Sequence, residues 1–216
     1  MRSRDSTRAF EPDYPEVGER LRIHRRAKGL SLRVLAERLG VSPSLISQIE
    51  RGRARPSVST LFAIATELDA SLDELLFNDE RPSAATSGPE SRPSPVQGAG
   101  SRHHIRLASG VVWERLTTTS QPGVEFLFVV YDVGGASSPG DTYQNHAGYE
   151  WGYVISGVLE VIIGFDRYVL QPGDAVSLDS SMPHRLANIG DTPVHAIWFV
   201  LGRDADPRVI GHAAPA

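Results

Sequence analysis

The chain contains no cysteine. Disulfide staples and thiolate metal sites are therefore excluded, and a reducing compartment fits. No long apolar run is present, so no membrane span is expected. The first residues, Met1-Arg2-Ser3-Arg4, have no apolar core behind their charges, so no secretory signal is expected and the cytoplasm is the expected location. Acid is scarce in one region. Between Arg20 and Arg55 ten Arg or Lys face only Glu37 and Glu50, a local charge of +8 in a chain of net charge −4, which leaves −12 for the remainder. A basic segment inside an acidic chain points to a local polyanion site. Length (216 residues) and apolar content (40%) suffice for two small domains or one large one.

Residues 30–55 read as two short helices joined by a tight turn. Ser31 is placed to cap the first, Val34, Leu35 and Leu39 give it an apolar stripe, and Gly40 ends it. Ser42 caps the second, with Pro43 at its first position, where a missing N–H costs nothing. Leu45, Ile46 and Ile49 can turn inward. Ser44, Ser47, Gln48 and Arg51 share the opposite face by helical spacing. That face is polar, mostly short-chained and free of acid, so it can reach base edges in a major groove. Arg51, Arg53 and Arg55 form a turn suited to phosphates. With Arg33 and Ser42 these residues make up the expected DNA-contacting set. The alternative is an ordinary helical hairpin with a solvated polar face.

Around this stretch a helix is expected from residue 15 to 28, with Val17, Leu21 and Ile23 inward and Arg22, Arg25 and Arg26 outward. Ser57 can cap a fourth helix bearing Leu61, Ile64, Ala65 and Leu68. Ser71-Leu72-Asp73-Glu74 matches a capping box for a short fifth. The expected division is a flexible arm at 1–13, a five-helix domain at 14–78, and a linker at 79–101 rich in Pro, Ser, Ala and Gly. A second domain at 102–204 and a tail at 205–216 complete it. The linker composition predicts two separately folded units.

In the second domain the pattern turns to short strands rich in Val, Ile and aromatics, punctuated by Gly134-Gly135, Ser156-Gly157, Gly164, Pro172-Gly173 and Gly190-Asp191. Close spacing without helical periodicity predicts an antiparallel sandwich or barrel, and periodicity does not separate a jelly roll from an immunoglobulin-like sandwich. His146 and Glu150, four apart in an extended segment, point to one side. His184 lies on a distant segment that can close against them. Two imidazoles and a carboxylate can hold Fe, Zn, Mn or Ni, and Gln144 can add an oxygen. The alternative is a hydrogen-bonded polar cluster without metal. Phe126, Phe128, Tyr143, Tyr149 and Arg185 are the expected lining of a small-molecule pocket. Alternation from Glu150 sends Gly152 and Val154 inward, and Trp151 and Tyr153 to the other face.

The words Ser-Pro-Ser-Leu-Ile-Ser-Gln-Ile-Glu-Arg-Gly (42–52) and Pro-Ser-Val-Ser-Thr-Leu (56–61) resemble the helix-turn-helix of phage-repressor-type regulators, the XRE family. Leu32 stands where many members carry a glutamine that touches phosphate, so no contact is carried over there. Gln144-Asn145-His146-Ala147-Gly148-Tyr149-Glu150 with Gly157, and Pro172-Gly173-Asp174 with Pro183-His184-Arg185-Leu186-Ala187-Asn188, resemble the two motifs of the cupin superfamily of double-stranded β-helix barrels. The second motif matches well. The first has Gln144 where a histidine is usual. Together the resemblances imply an α + β two-domain regulator that binds double-stranded operator DNA. Its barrel would sense a small-molecule effector, with one divalent metal ion as a candidate cofactor and a homodimer formed through the cupin domain. Iron-dependent hydroxypropylphosphonate epoxidases have a similar layout, so the competing expectation is an oxidase using His146, Glu150 and His184.

Overall fold

The computed structural model describes residues 14–76, 94–119 and 123–202. The expected arm and tail and most of the linker lie outside them. Five helices come first: α1 (Tyr14–Ala27), α2 (Leu32–Arg38), α3 (Pro43–Glu50), α4 (Val58–Leu68) and α5 (Leu72–Leu76). Four of them start at a serine for a local reason. Ser31, Ser42 and Ser57 each accept from the backbone N–H three residues on, satisfying one orphan donor per helix. At α5 the box closes both ways, Glu74 N–H donating to Ser71 Oγ (3.1 Å) and Ser71 N–H to Glu74 Oε2 (2.9 Å).

The helices enclose Val17, Leu21, Leu35, Ile46, Ile49, Leu61, Ile64, Leu68 and Leu75. Two expectations for α1 fail. Ile23 is 56% exposed, while Arg25 is buried at 7%. Arg25 faces inward because Glu50, at the end of α3, meets it there: Arg25 Nε donates to Glu50 Oε1 (2.5 Å) and the guanidinium to Oε2 (2.9 Å). Val34 is 37% exposed, and the buried residues of α2 are Leu35 and Ala36.

Nine antiparallel strands follow: β1 (His104–Arg106), β2 (Val111–Arg115), β3 (Val124–Tyr131), β4 (Tyr149–Ser156), β5 (Leu159–Ile163), β6 (Asp166–Leu170), β7 (Ala175–Asp179), β8 (His184–Asn188) and β9 (Val194–Leu201). They form a six-stranded sheet, order β1-β2-β3-β9-β4-β7, and a three-stranded sheet, order β6-β5-β8. Alternation is strict where one face is buried. In β4 Glu150, Gly152 and Val154 are inward and Trp151, Tyr153 and Ile155 outward. In β9 Ala196, Trp198 and Val200 are inward.

The linker composition suggests independent halves, yet α4 and α5 pack directly on the β-domain, and one apolar core runs through both. The Ser59 amide donates to the Ser137 carbonyl and the Ala108 amide to the Pro56 carbonyl, each at 3.0 Å. Arg115 of β2 pairs with Asp73 of α5 at 3.5 Å, both side chains almost fully buried. Beside them, burial and then the charge of Asp73 push the Glu125 carboxyl well above the usual carboxylate range, against the opposing pull of the Asp73 amide and Arg115.

Candidate functional site

Two sites emerge, one on each half. On α3 the polar face is open to solvent. Ser42, Ser44, Gln48 and Arg51 are exposed and Ser47 is half-buried, while Ile46 and Ile49 anchor the opposite side. The face is pre-ordered by its own contacts: Gln48 Nε2 donates to Ser44 Oγ (3.2 Å) and Arg51 to Ser47 Oγ (2.6 Å). Arg53 and Arg55 project from the following turn, and Arg33 is exposed on α2. The turn is held by the Arg53 and Ala54 amides, which both donate to the Gln48 carbonyl.

The second site lies inside the β-domain. Backbone pairing puts Gln144 against His184, with N–H···O bonds of 2.9 and 2.8 Å exchanged both ways. The His146 amide donates to the Ser180 carbonyl (2.9 Å). Gly148, at φ +116°, lets the chain re-enter β4 directly against β9, since a Cβ there would lie 1.9 Å from the Leu201 carbonyl oxygen. The ligating atoms of His146, Glu150 and His184 then lie within 4.8 Å of one another. His146 Nε2 is 2.8 Å and His184 Nε2 3.1 Å from the same Glu150 Oε1, all three side chains being at most 5% exposed.

The donor set fits a cation. The Met182 carbonyl accepts from His184 Nδ1 at 2.8 Å, which fixes one proton there and turns Nε2 toward Glu150, as a lone pair in the neutral ring and as a donor in the imidazolium. A lone pair facing a carboxylate oxygen needs a proton or a metal ion between them. Burial alone would raise the Glu150 carboxyl, but hydrogen bonds from His146 and His184 and their charges hold it well below the usual range. Burial would lower His184, but the hydrogen bond and charge of Glu150 raise it. The buried Gln144 Oε1 has no hydrogen-bond partner among the described residues, while its amide nitrogen sits 3.0 Å from His184 Nε2. Turning that amide over brings the oxygen to the centre. The group can therefore hold a metal ion.

The expected pocket lining is corrected. Leu127, Val129 and Tyr131 are the residues of β3 that face the interior, so Phe126 and Phe128 lie on the outer face, against Phe199 and His195 respectively. Both faces of β3 are apolar, so hydrophobicity could not choose between them. Tyr149 is on the outer face beside Trp151, and Tyr143 is exposed. Arg185 alternates away from buried His184 and Leu186, its guanidinium 3.8 Å from Glu160. The interior is lined instead by Val58, Phe62, Trp113, Leu127, Tyr131 and Trp198, around Gln144 and Glu150.

Two of these residues matter most and have no signal in the sequence. Trp198 Nε1 donates to Glu150 Oε2 at 2.5 Å, orienting the carboxylate from outside the ligand set. Phe62, from α4, lies flat on His146 with ring centroids 3.8 Å apart and planes within 2°.

Comparison with known proteins agrees with this division. The helix-turn-helix family model matches residues 21–75 and the cupin domain model matches residues 127–200. The chain thus carries an XRE-type helix-turn-helix domain at its N-terminal side and a cupin domain at its C-terminal side. Among relatives it is similar to the HTH-type transcriptional regulator PuuR of Escherichia coli, 28% identical over 79% of this chain and 86% of that one. Similarity to the HTH-type transcriptional regulator SutR of the same organism is 26% over the same shares. A solved HTH_3 family transcriptional regulator from Vibrio cholerae superposes with a TM-score of 0.60 at 22% identity, covering 87% of this chain and 96% of that one, which establishes a common fold. Hydroxypropylphosphonic acid epoxidase from S. wedmorenis superposes only at 0.43, too loosely to support an argument.

Proposed function

We propose that this chain is a DNA-binding transcriptional regulator whose cupin barrel binds a small effector, and that it works as a homodimer. The observation that carries the reading is the polar face of α3, with Ser44, Gln48 and Arg51 exposed and Ser47 half-buried among them, flanked by Arg53 and Arg55. In an oxidase of the same layout this acid-free face has no task. One α3 reads too few base pairs for useful specificity, so two copies are needed. The outer aromatics of β4, Trp151 and Tyr153, with Phe126 and Phe199 beside them, support pairing through the six-stranded sheet. Among the described residues no helix is long and apolar enough to cross a membrane.

Competition binding to operator and scrambled duplexes tests the reading. Gln48→Ala should cost about 1–3 kcal/mol on operator alone and narrow the gap to scrambled DNA. Arg53→Ala should weaken both equally and lower the salt slope by about 1. Unchanged discrimination in Gln48→Ala would remove this face from the reading role.

His146, Glu150 and His184 would hold a divalent ion, with Gln144 as a further oxygen. The ion would supply an open coordination position for a donor atom of the effector. Zinc uptake followed by mass spectrometry should vanish in His184→Ala. It should also weaken as pH falls, because His184, whose imidazolium Glu150 stabilises, must shed a proton to bind. Zinc retained by His184→Ala would reject the ligand set.

A further inference from the structure

Around Gln144 and Glu150 the interior of the β-domain is nearly filled. The void enclosed by Val58, Phe62, Trp113, Gln144, Glu150 and Trp198 measures ≈10 Å³, no more than the roughly 10–15 Å³ that one water needs. A residue of the helical half does the closing. Phe62 is stacked on His146 and stands edge-on to Trp113 at 5.9 Å. Next to it, a cleft of ≈110 Å³ runs between α4 and the barrel, lined by Phe62, Asp69, Leu72, Glu125 and His146.

We propose that Phe62 is a tethered occupant of the barrel mouth, and that an effector reaches His146, Glu150 and His184 only by expelling it. The inference rests on the effector-binding reading above and specifies how that site is gated. The ring shows what replaces it: a small molecule with a flat apolar group to lie on the His146 imidazole and an oxygen donor directed at the three-residue cluster. Expulsion has a mechanical consequence. Phe62 and Val58 share α4 with Ser59, whose amide is bonded to the Ser137 carbonyl, and Pro56, just before α4, is bonded to Ala108. Losing the ring from the mouth releases those junction bonds. Only residues 51–57 separate α4 from α3, so the reading face moves with it. Effector occupancy and α4 docking thus exclude each other, and the two states are the alternatives between which the effector selects.

Amide hydrogen exchange on the full, metal-free chain tests this without DNA, using phenol as the probe. In the wild type, millimolar phenol should speed exchange at the Ser59 and Ala108 amides at least tenfold. The Leu35 and Ile46 amides, inside the helical half, should be unaffected. In Phe62→Ala both junction amides should exchange fast without phenol, and phenol should bind at least tenfold tighter. Phe62→Leu serves in the same way if the alanine variant fails to fold. Junction amides that keep wild-type rates in the variant, or phenol affinity equal in both proteins, would overturn the proposal. Those outcomes leave the operator-reading role of α3 standing, since that role is measured separately on DNA.

Discussion

Glu50→Ala should destabilise the helical half by roughly 3–5 kcal/mol, the cost of leaving a buried charge without its partner. Arg25 is 7% exposed, and its guanidinium makes two bonds to Glu50 and one, at 2.6 Å, to the Leu30 carbonyl. The alanine removes two of the three and leaves the cation enclosed by α1 and α3. Because Glu50 ends the helix that carries Gln48 and Arg51, the same change should abolish operator binding at temperatures where the wild type still binds. Urea titration followed at the helical circular dichroism band measures the first effect, and operator titration the second. Replacing both partners, Arg25→Met with Glu50→Leu, should recover most of the loss, since well-packed apolar substitutes for a buried pair are often neutral or stabilising. A loss below about 1 kcal/mol in Glu50→Ala would place the pair with ordinary surface ion pairs.

The contrast between Arg25 and the serine caps shows which parts of this fold a sequence displays. Ser31, Ser42, Ser57 and the Ser71–Glu74 box act within three residues of themselves, so spacing alone exposes them. Arg25 and Glu50 are 25 residues apart and meet only because α1 packs on α3. On a helical wheel Arg25 reads as one more outward arginine of a basic segment. The strands divide in the same way. Alternation from Glu150 fixes the two faces of β4 because one carries a carboxylate and a glycine. In β3 both faces are apolar, and the aromatic one, Phe126 and Phe128, turned out to be the outer. The cluster of His146, Glu150 and His184 was legible through motif words, although a bend at Ala147 and Gly148, and not the expected extended segment, brings His146 to Glu150. Phe62 was legible only as an apolar residue of α4. Nothing local says that a helix of the first half closes the barrel of the second.

Gly152→Ala should strike the centre of the β-domain through Trp198. Gly152 of β4 sits opposite Trp198 of β9, and a Cβ there would lie 2.0 Å from the indole ring. Trp198 is 4% exposed and closely packed, so the ring must shift, at a cost of roughly 1–3 kcal/mol for overpacking. That shift pulls Nε1 away from Glu150 Oε2 and frees the carboxylate to rotate. Loss of an orienting partner of this kind typically weakens metal affinity about 10–100-fold. Thermal melting and zinc titration read the two effects separately. Combining Gly152→Ala with Trp198→Phe distinguishes them further. The smaller ring relieves the clash and should return most of the stability, but it has no N–H, so zinc affinity should stay low. Zinc affinity restored together with stability would mean that packing alone governs the site, and that the Trp198 hydrogen bond contributes nothing to holding Glu150.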